Sequence, residues 1–489
     1  MRTAYLCMFM VMFLAVCSLF PGAAMAGPAP REEEVYFANG EVRLAGTLLL
    51  PHVDKPVPAV VFVHGAAYHD RKDNWEEAEY FARRGIAALV YDKRGCGASS
   101  GDWATASQFE LAEDALAAVL LLKKRPEIDA RHIGLWGMSQ GASIIPLAAV
   151  RSQDVAFLIP VSGCLSFDRQ MHYYRANLFR QRGLPDRLLD IANKASLLSN
   201  DFARRVRNGL PVPTAWRLRC AFDTDLDSSS EWAKVRQPVL AVYGALDRAV
   251  PVAQSAAGLR QALLLGGNQE WTIVIYPGAG HSLGTTDTGE LYEPWRGYVP
   301  GFLDGVTDWV LRRAAGGRSS GDGLKGTAQE PVLPYTAAHY ERLAWYGNSL
   351  VQLPMVLGFC LVFAAGCLSW PAGFLFRRFR SARNPRRPQI VSGLAQALCA
   401  INLVLLAGLV VLVQAVSDQI RPSCPPALRL LPSAGGLSAL LSVLLVAFTA
   451  RAWRSGVWMR GMWWWSFIAL AAACFLPFLF YWDLLGTPF

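Results

Sequence analysis

From Glu32 to Arg313, short apolar runs bounded by turn residues alternate with stretches of helical spacing, and this alternation constrains the fold more than any other feature. Glu34–Phe37 and Val42–Leu50 flank Asn39-Gly40, a dipeptide suited to a tight hairpin between antiparallel strands. Ala59–Val63 and Ile86–Tyr91 are continuous apolar runs, as a strand buried on both faces requires. His132–Trp136, Val155–Val161, Pro238–Tyr243 and Trp271–Tyr276 add four more strand-like segments. Asn74–Arg84 has helical character, and Phe109–Lys124 places apolar residues three and four apart, which predicts a helix. Strands that alternate with helices pair in parallel, with helices covering both faces of the sheet. The predicted class is therefore α/β. One stretch breaks the pattern. About 167–236 is polar, helical and rich in Arg, with no strand-like run, and is expected to form a helical cap above the sheet or an extra helical layer.

Gly137-Met138-Ser139-Gln140-Gly141 follows the strand 132–136 and precedes the helix-like Ala142–Val150. In a strand–turn–helix context the two glycines remove side chains where backbones crowd, and the serine hydroxyl projects above the sheet. A serine hydroxyl is a weak nucleophile and needs a base. Two later strand ends supply partners: Gly244-Ala245-Leu246-Asp247 after one, and Pro277-Gly278-Ala279-Gly280-His281 after the next. The expected catalytic set is Ser139 as nucleophile, His281 as base and Asp247 as the acid that holds the imidazole. Asp223, Asp225 and Asp227 are rivals for the acid, but precede the strand. For an oxyanion, the expected donors are the backbone N–H of Gln140, at the helix start, and that of Ala66 in His64-Gly65-Ala66 after the strand 59–63.

These motifs, together with Asp92-Lys93-Arg94-Gly95-Cys96-Gly97-Ala98-Ser99 after the fourth strand, resemble the α/β-hydrolase superfamily. The nearer likeness is to bacterial esterases and to dienelactone-hydrolase and prolyl-oligopeptidase-type enzymes. It covers about Glu32–Arg313 and implies a carboxylic-ester hydrolase with an acyl-enzyme intermediate and no cofactor or metal. Ala66-Ala67 stands where a second glycine often follows His-Gly. Peptide or amide cleavage, acyl transfer, or a non-catalytic receptor built on the same scaffold are the alternatives. Asp223, Asp225 and Asp227 have calcium-loop spacing but lack the following Gly, and Lys234 stands where such a loop needs an acid. His69-Asp70 could line the site or cap a helix, and the cap is the favoured reading.

The rest of the chain has another character. Ala314–Gln329 is Gly-, Ser- and Ala-rich, so 314–339 is expected to be a linker. Four apolar spans follow, at about 350–376, 390–416, 434–450 and 462–482, each near the length needed to cross a bilayer. A four-helix transmembrane bundle over 340–489 is predicted. From Tyr340 onward the chain carries 12 Arg, no Lys and 3 acidic residues, whereas the preceding part balances 35 basic against 35 acidic side chains. With no basic face in the balanced part, nucleic acid is not an expected partner. The Arg-rich loop 377–387 and the loop holding Arg451, Arg454 and Arg460 alternate with a less charged, Pro-rich loop, which places the two basic loops in the cytoplasm. Arg2, the apolar run Ala4–Phe20 and Ala24-Met25-Ala26 form a secretory signal over 1–26, with an uncleaved anchor and a poorly matched lipoprotein site at Leu14-Ala15-Val16-Cys17 as the other readings. All three put the hydrolase domain outside the cytoplasm, on the periplasmic face of the inner membrane. A small or lipid-like ester is the expected substrate. Cys96, Cys164 and Cys220 permit a Cys164–Cys220 disulfide or free buried thiols.

Overall fold

The computed structural model describes residues 28–181, 183, 186–207, 209, 227–290, 293–317, 323–325, 345–379, 389–417, 429–455 and 462–485. The expected signal at 1–26, Cys220, Asp223, Asp225 and most of the Arg-rich loop lie outside them. The chain forms two compact units: Met1–Phe167 with Asp225–Pro331, and Asp168–Thr224 with Val332–Phe489.

The first unit is built on a sheet. Strands β1 (Arg31–Asn39) and β2 (Val42–Leu50) form the expected hairpin, closing with Asn39 opposite Val42. Strands β3 (Val57–Val63), β4 (Ala87–Tyr91), β5 (Ile128–Met138), β6 (Phe157–Val161), β7 (Val239–Gly244), β8 (Trp271–Tyr276) and β9 (Gly323–Lys325) complete the order β1-β2-β4-β3-β5-β6-β7-β8-β9. Strand β2 runs antiparallel to β4, and every pairing from β4 to β9 is parallel. Every residue of β3 is buried. Ala59, Val61 and Val63 enter the core on one face and Val60 and Phe62 the core on the other, as the two-residue period of a central strand dictates. Full burial of such side chains contributes roughly 1.5–3 kcal/mol each.

Helices α1 (Trp75–Arg83), α2 (Gln108–Lys123) and α3 (Gln140–Ala149) follow β3, β4 and β5. Ser107 starts α2 through a reciprocal cap: its hydroxyl accepts from Glu110 N–H at 3.2 Å, and the Glu110 carboxylate accepts from Ser107 N–H at 2.8 Å. The sheet is covered on one side by α2, α3 and a later helix over Val252–Leu265, and on the other by α1 and a helix over Phe302–Ala314. Gly323–Lys325 falls inside the stretch expected to be a linker. It pairs with β8 through backbone groups alone, which a Gly-rich composition does not forbid.

The second unit has two sources. Helices α4 (Phe167–Gln181) and α5 (Asp186–Arg207) come from the insertion expected as a cap. Beyond the helices over Val252–Leu265 (α6) and Phe302–Ala314 (α7) come α8 (Ser349–Phe379), α9 (Gln389–Ser417), α10 (Leu431–Arg454) and α11 (Met462–Tyr481). Among the described residues these last four are long and apolar enough to cross a membrane. Leu357, Leu361, Val404, Leu440 and Leu470 are exposed on their outer faces, an apolar exterior that suits lipid rather than water. Phe179, Leu188, Leu189, Ile191, Ala192 and Ala195 of α4 and α5 share one buried core with Phe363, Leu398, Phe475 and Trp482. The Lys194 ammonium donates to Tyr481 O at 2.6 Å and pairs with Asp483. The Asp201 carboxylate accepts from Ser349 N–H at 2.8 Å and from its hydroxyl at 2.6 Å, capping α8.

Candidate active site

Ser139 sits between β5 and α3 with φ +52° and ψ −111°, a conformation that costs a non-glycine residue about 1–3 kcal/mol. The turn is fixed by Ser139 N–H donating to Val161 O at 2.9 Å and by Ala142 N–H donating to Ser139 O at 3.0 Å. Two residues later the helix passes so near β3 that a Cβ on Gly141 would stand 2.4 Å from Val63 O. The sequence G-x-S-x-G is thus the local solution for a strand that turns directly into a helix.

His281 follows β8, and its Nδ1 lies 2.8 Å from Asp247 Oδ2, beyond the end of β7. The Asp247 side chain is fully buried, and its Oδ1 accepts from Ala249 N–H at 2.7 Å and Val250 N–H at 2.9 Å. Because the carboxylate accepts, Nδ1 carries the proton and Nε2 is left as the basic nitrogen. Burial pulls the His281 pKa down, but the Asp247 charge and hydrogen bond outweigh it, so the value stands above that of an ordinary imidazole. Ser139 and His281 line one cavity of about 510 Å³ with Gly65, Ala66 and an aromatic wall of Trp136, Trp295, Tyr298 and Phe302. Parallel strands bring these parts together: Val63 is registered on Gly137, and Gly244 on Tyr276. All the contributing loops therefore leave one edge of the sheet.

Gln140 is the first residue of α3 and is buried; Ala66 lies in the loop after β3. His64, before it, is buried against Tyr91 with ring centroids 4.8 Å apart. Burial pushes its pKa down to about 3, which keeps it neutral. His69, expected at a helix cap, instead lines the cavity, and the cap position of α1 is Asn74. Its Nδ1 lies 2.8 Å from Asp73 Oδ2 and its Nε2 lies 2.6 Å from Ala66 O, so both nitrogens face acceptors. Asp70 accepts from Lys72 N–H, a local turn bond. Asp227, a rival for the acid, accepts from Ser229 N–H at 3.0 Å at the start of a helical turn. No cluster of three or more metal-ligating side chains occurs among the described residues.

Three features were not foreseen. Glu77 lies in the cavity wall, buried, with its pKa raised by desolvation and its carboxyl bonded to Tyr298. Asp92 accepts from Arg71 through backbone and guanidinium, and a Cβ on Gly97 would strike it at 2.4 Å. Lys93, only 3% exposed, donates to Gly65 O at 2.8 Å, Gln140 Oε1 at 3.1 Å and Ala67 O at 3.3 Å. Burial pushes its pKa down to about 8. The only sequence signal for these roles is that Asp92-Lys93-Arg94 directly follows a fully apolar strand.

The alpha/beta hydrolase family model matches residues 60–293. The first unit has the α/β-hydrolase fold. Esterase EstD of Thermotoga maritima is 25% identical to the chain over 266 residues, 52% of this chain and 60% of its own length. Thiohydrolase aneE of Aspergillus aculeatus is 30% identical over 175 residues, 35% of this chain and 50% of its own. The chain thus spans between half and three fifths of the length of these relatives. The solved structure of Est1E from Butyrivibrio proteoclasticus with ferulic acid bound is 22% identical, with 58% of this chain and 98% of that one covered and a TM-score of 0.38. The segment matched by the family model includes Ser139, Asp247 and His281.

Proposed function

We propose that the protein is a membrane-anchored serine hydrolase that cleaves carboxylic esters through an acyl-enzyme on Ser139. The observation that carries this reading is Ser139, at positive φ on a strand–helix turn, sharing one cavity with an imidazole already hydrogen-bonded to a buried carboxylate. In the proposed cycle His281 Nε2 takes the Ser139 proton as Oγ attacks the ester carbonyl carbon. The oxyanion accepts from the N–H groups of Ala66 and Gln140, each such donor being worth about 3 kcal/mol in the transition state. The imidazolium, stabilised by Asp247, then gives its proton to the leaving alkoxide, and the alcohol departs. Water repeats the sequence on the acyl-enzyme and releases the acid. The aromatic wall favours an apolar acyl or alcohol group. The charge of the two Arg-rich loops supports a hydrolase unit on the outer, periplasmic side of the inner membrane.

A fluorophosphonate probe tests the chemistry: it should label the full-length protein and leave Ser139→Ala unlabelled, with His281→Ala losing most of the labelling rate. Labelling that survives Ser139→Ala overturns the assignment. A reporter fused at Pro385 should be cytoplasmic; an external signal reverses the orientation.

A further inference from the structure

One buried cation in the hydrolase unit has all its hydrogens committed to the loop after β3 and to Gln140, the neighbour of Ser139. Lys93 leaves the end of β4 and spends its three N–H bonds on the carbonyls of Gly65 and Ala67 and the side-chain oxygen of Gln140. The Trp103 ring lies 5.8 Å from the same nitrogen. The first of these carbonyls matters most. Gly65 C=O and Ala66 N–H belong to one peptide group, planar and trans, so they point in opposite directions. A cation that holds the oxygen therefore aims the hydrogen away from itself, toward the cavity that Gly65, Ala66 and Ser139 line. The approach is close: a Cβ on Gly65 would stand 3.7 Å from Ser139 Cβ. Hydrogen bonding at the carbonyl also polarises the peptide and strengthens its N–H as a donor. The third bond holds Gln140, whose own N–H opens α3.

We propose that Lys93 is the positioning residue of the oxyanion site, fixing and polarising the Gly65–Ala66 peptide and anchoring Gln140 so that both backbone donors meet the tetrahedral intermediate; this rests on the Ser139 reading above. The ammonium touches no reacting atom. Its effect falls on the transition state, where negative charge appears on the carbonyl oxygen, and leaves ground-state binding of a neutral ester almost unchanged.

The test uses full-length protein in detergent, p-nitrophenyl butyrate as substrate, phenylboronic acid as a tetrahedral mimic and fluorophosphonate titration to count competent sites. In Lys93→Met, kcat per titrated site should fall about 100-fold, the scale of a misaligned catalytic group. KM should stay near the wild-type value, and the Ki of phenylboronic acid should rise by a similar factor. A merely structural role would lower the number of titrated sites and leave kcat per site and Ki unchanged, which overturns the proposal. Gln140→Leu keeps the backbone N–H but removes one Lys93 acceptor, and should raise Ki in the same direction. If Lys93→Met gives no titratable sites, this variant decides, and a wild-type Ki in it overturns the proposal. Wild-type protein that takes no label at Ser139 defeats the hydrolase reading itself, a separate outcome.

Discussion

Asp247 does two things to His281 that differ in their pH signature. It fixes the proton on Nδ1, and its charge holds the ring's pKa above the ordinary imidazole value against the downward pull of burial. In the proposed cycle the reactive form is the neutral ring, so wild-type kcat/KM should be full above that raised value and lost as pH falls through it. In Asp247→Asn the charge is gone while burial remains. The acidic limb should move to lower pH while the plateau of kcat falls by about 10⁴-fold, as when the acid of a comparable triad becomes an amide. A pH profile of kcat/KM for both proteins checks this; an unmoved limb would separate Asp247 from the titrating group. Ser139, Asp247 and His281 were legible because each follows an apolar run that is recognisable as a strand. Lys93 was not. In sequence it is one charge among neighbours, and only the fold surrounds it with three acceptors.

At the scale of elements, the turn from β5 into α3 depends on the nearness of α3 to β3. The contact at Gly141 is to a backbone oxygen of a fully buried strand, which has no rotamer with which to give way. Gly141→Ala should cost about 1–3 kcal/mol, the range for an overpacked core. A urea titration followed by tryptophan fluorescence would show it, and a wild-type midpoint would refute it. The strands of the sheet were readable from their apolar runs, with ends shifted by a few residues, as at Arg31–Glu33, where polar positions still pair, and at Ile128–Arg131, before an irregularity in the pairing with β3. The three-residue β9 was beyond reach, since its pairing is a property of backbone rather than of side chains. Helix α5 lies in the polar, Arg-rich stretch expected to form a cap or an extra helical layer. Its apolar positions Leu188, Ile191, Ala192 and Ala195 were nonetheless three and four apart.

For the whole molecule, the insertion changes what counts as a separable part. The chain leaves the hydrolase unit after Phe167 and returns at Asp225, and the intervening helices bury their apolar faces in the core of the second unit. A chain of 28–331 would carry those faces without their partners and should elute as aggregate in detergent-free size exclusion. Ser166 and Asp227 form a β-bridge, so the two ends of the insertion already lie side by side. Replacing 168–224 of that fragment by a short Gly-Ser loop should give a monodisperse protein. A monodisperse 28–331 with the insertion intact would show that α4 and α5 need no bundle.

The order of synthesis adds a further consequence. Helix α5 is complete at Arg207, but α11 and the turn after it, which supply its Tyr481 and Asp483 partners, begin only at Met462. At about 5–20 residues per second, α5 emerges on the order of tens of seconds before α11 exists. During that interval part of the apolar face of α5 has no partner. The order of synthesis thus leaves the packing of α5 incomplete until the last helix has been made.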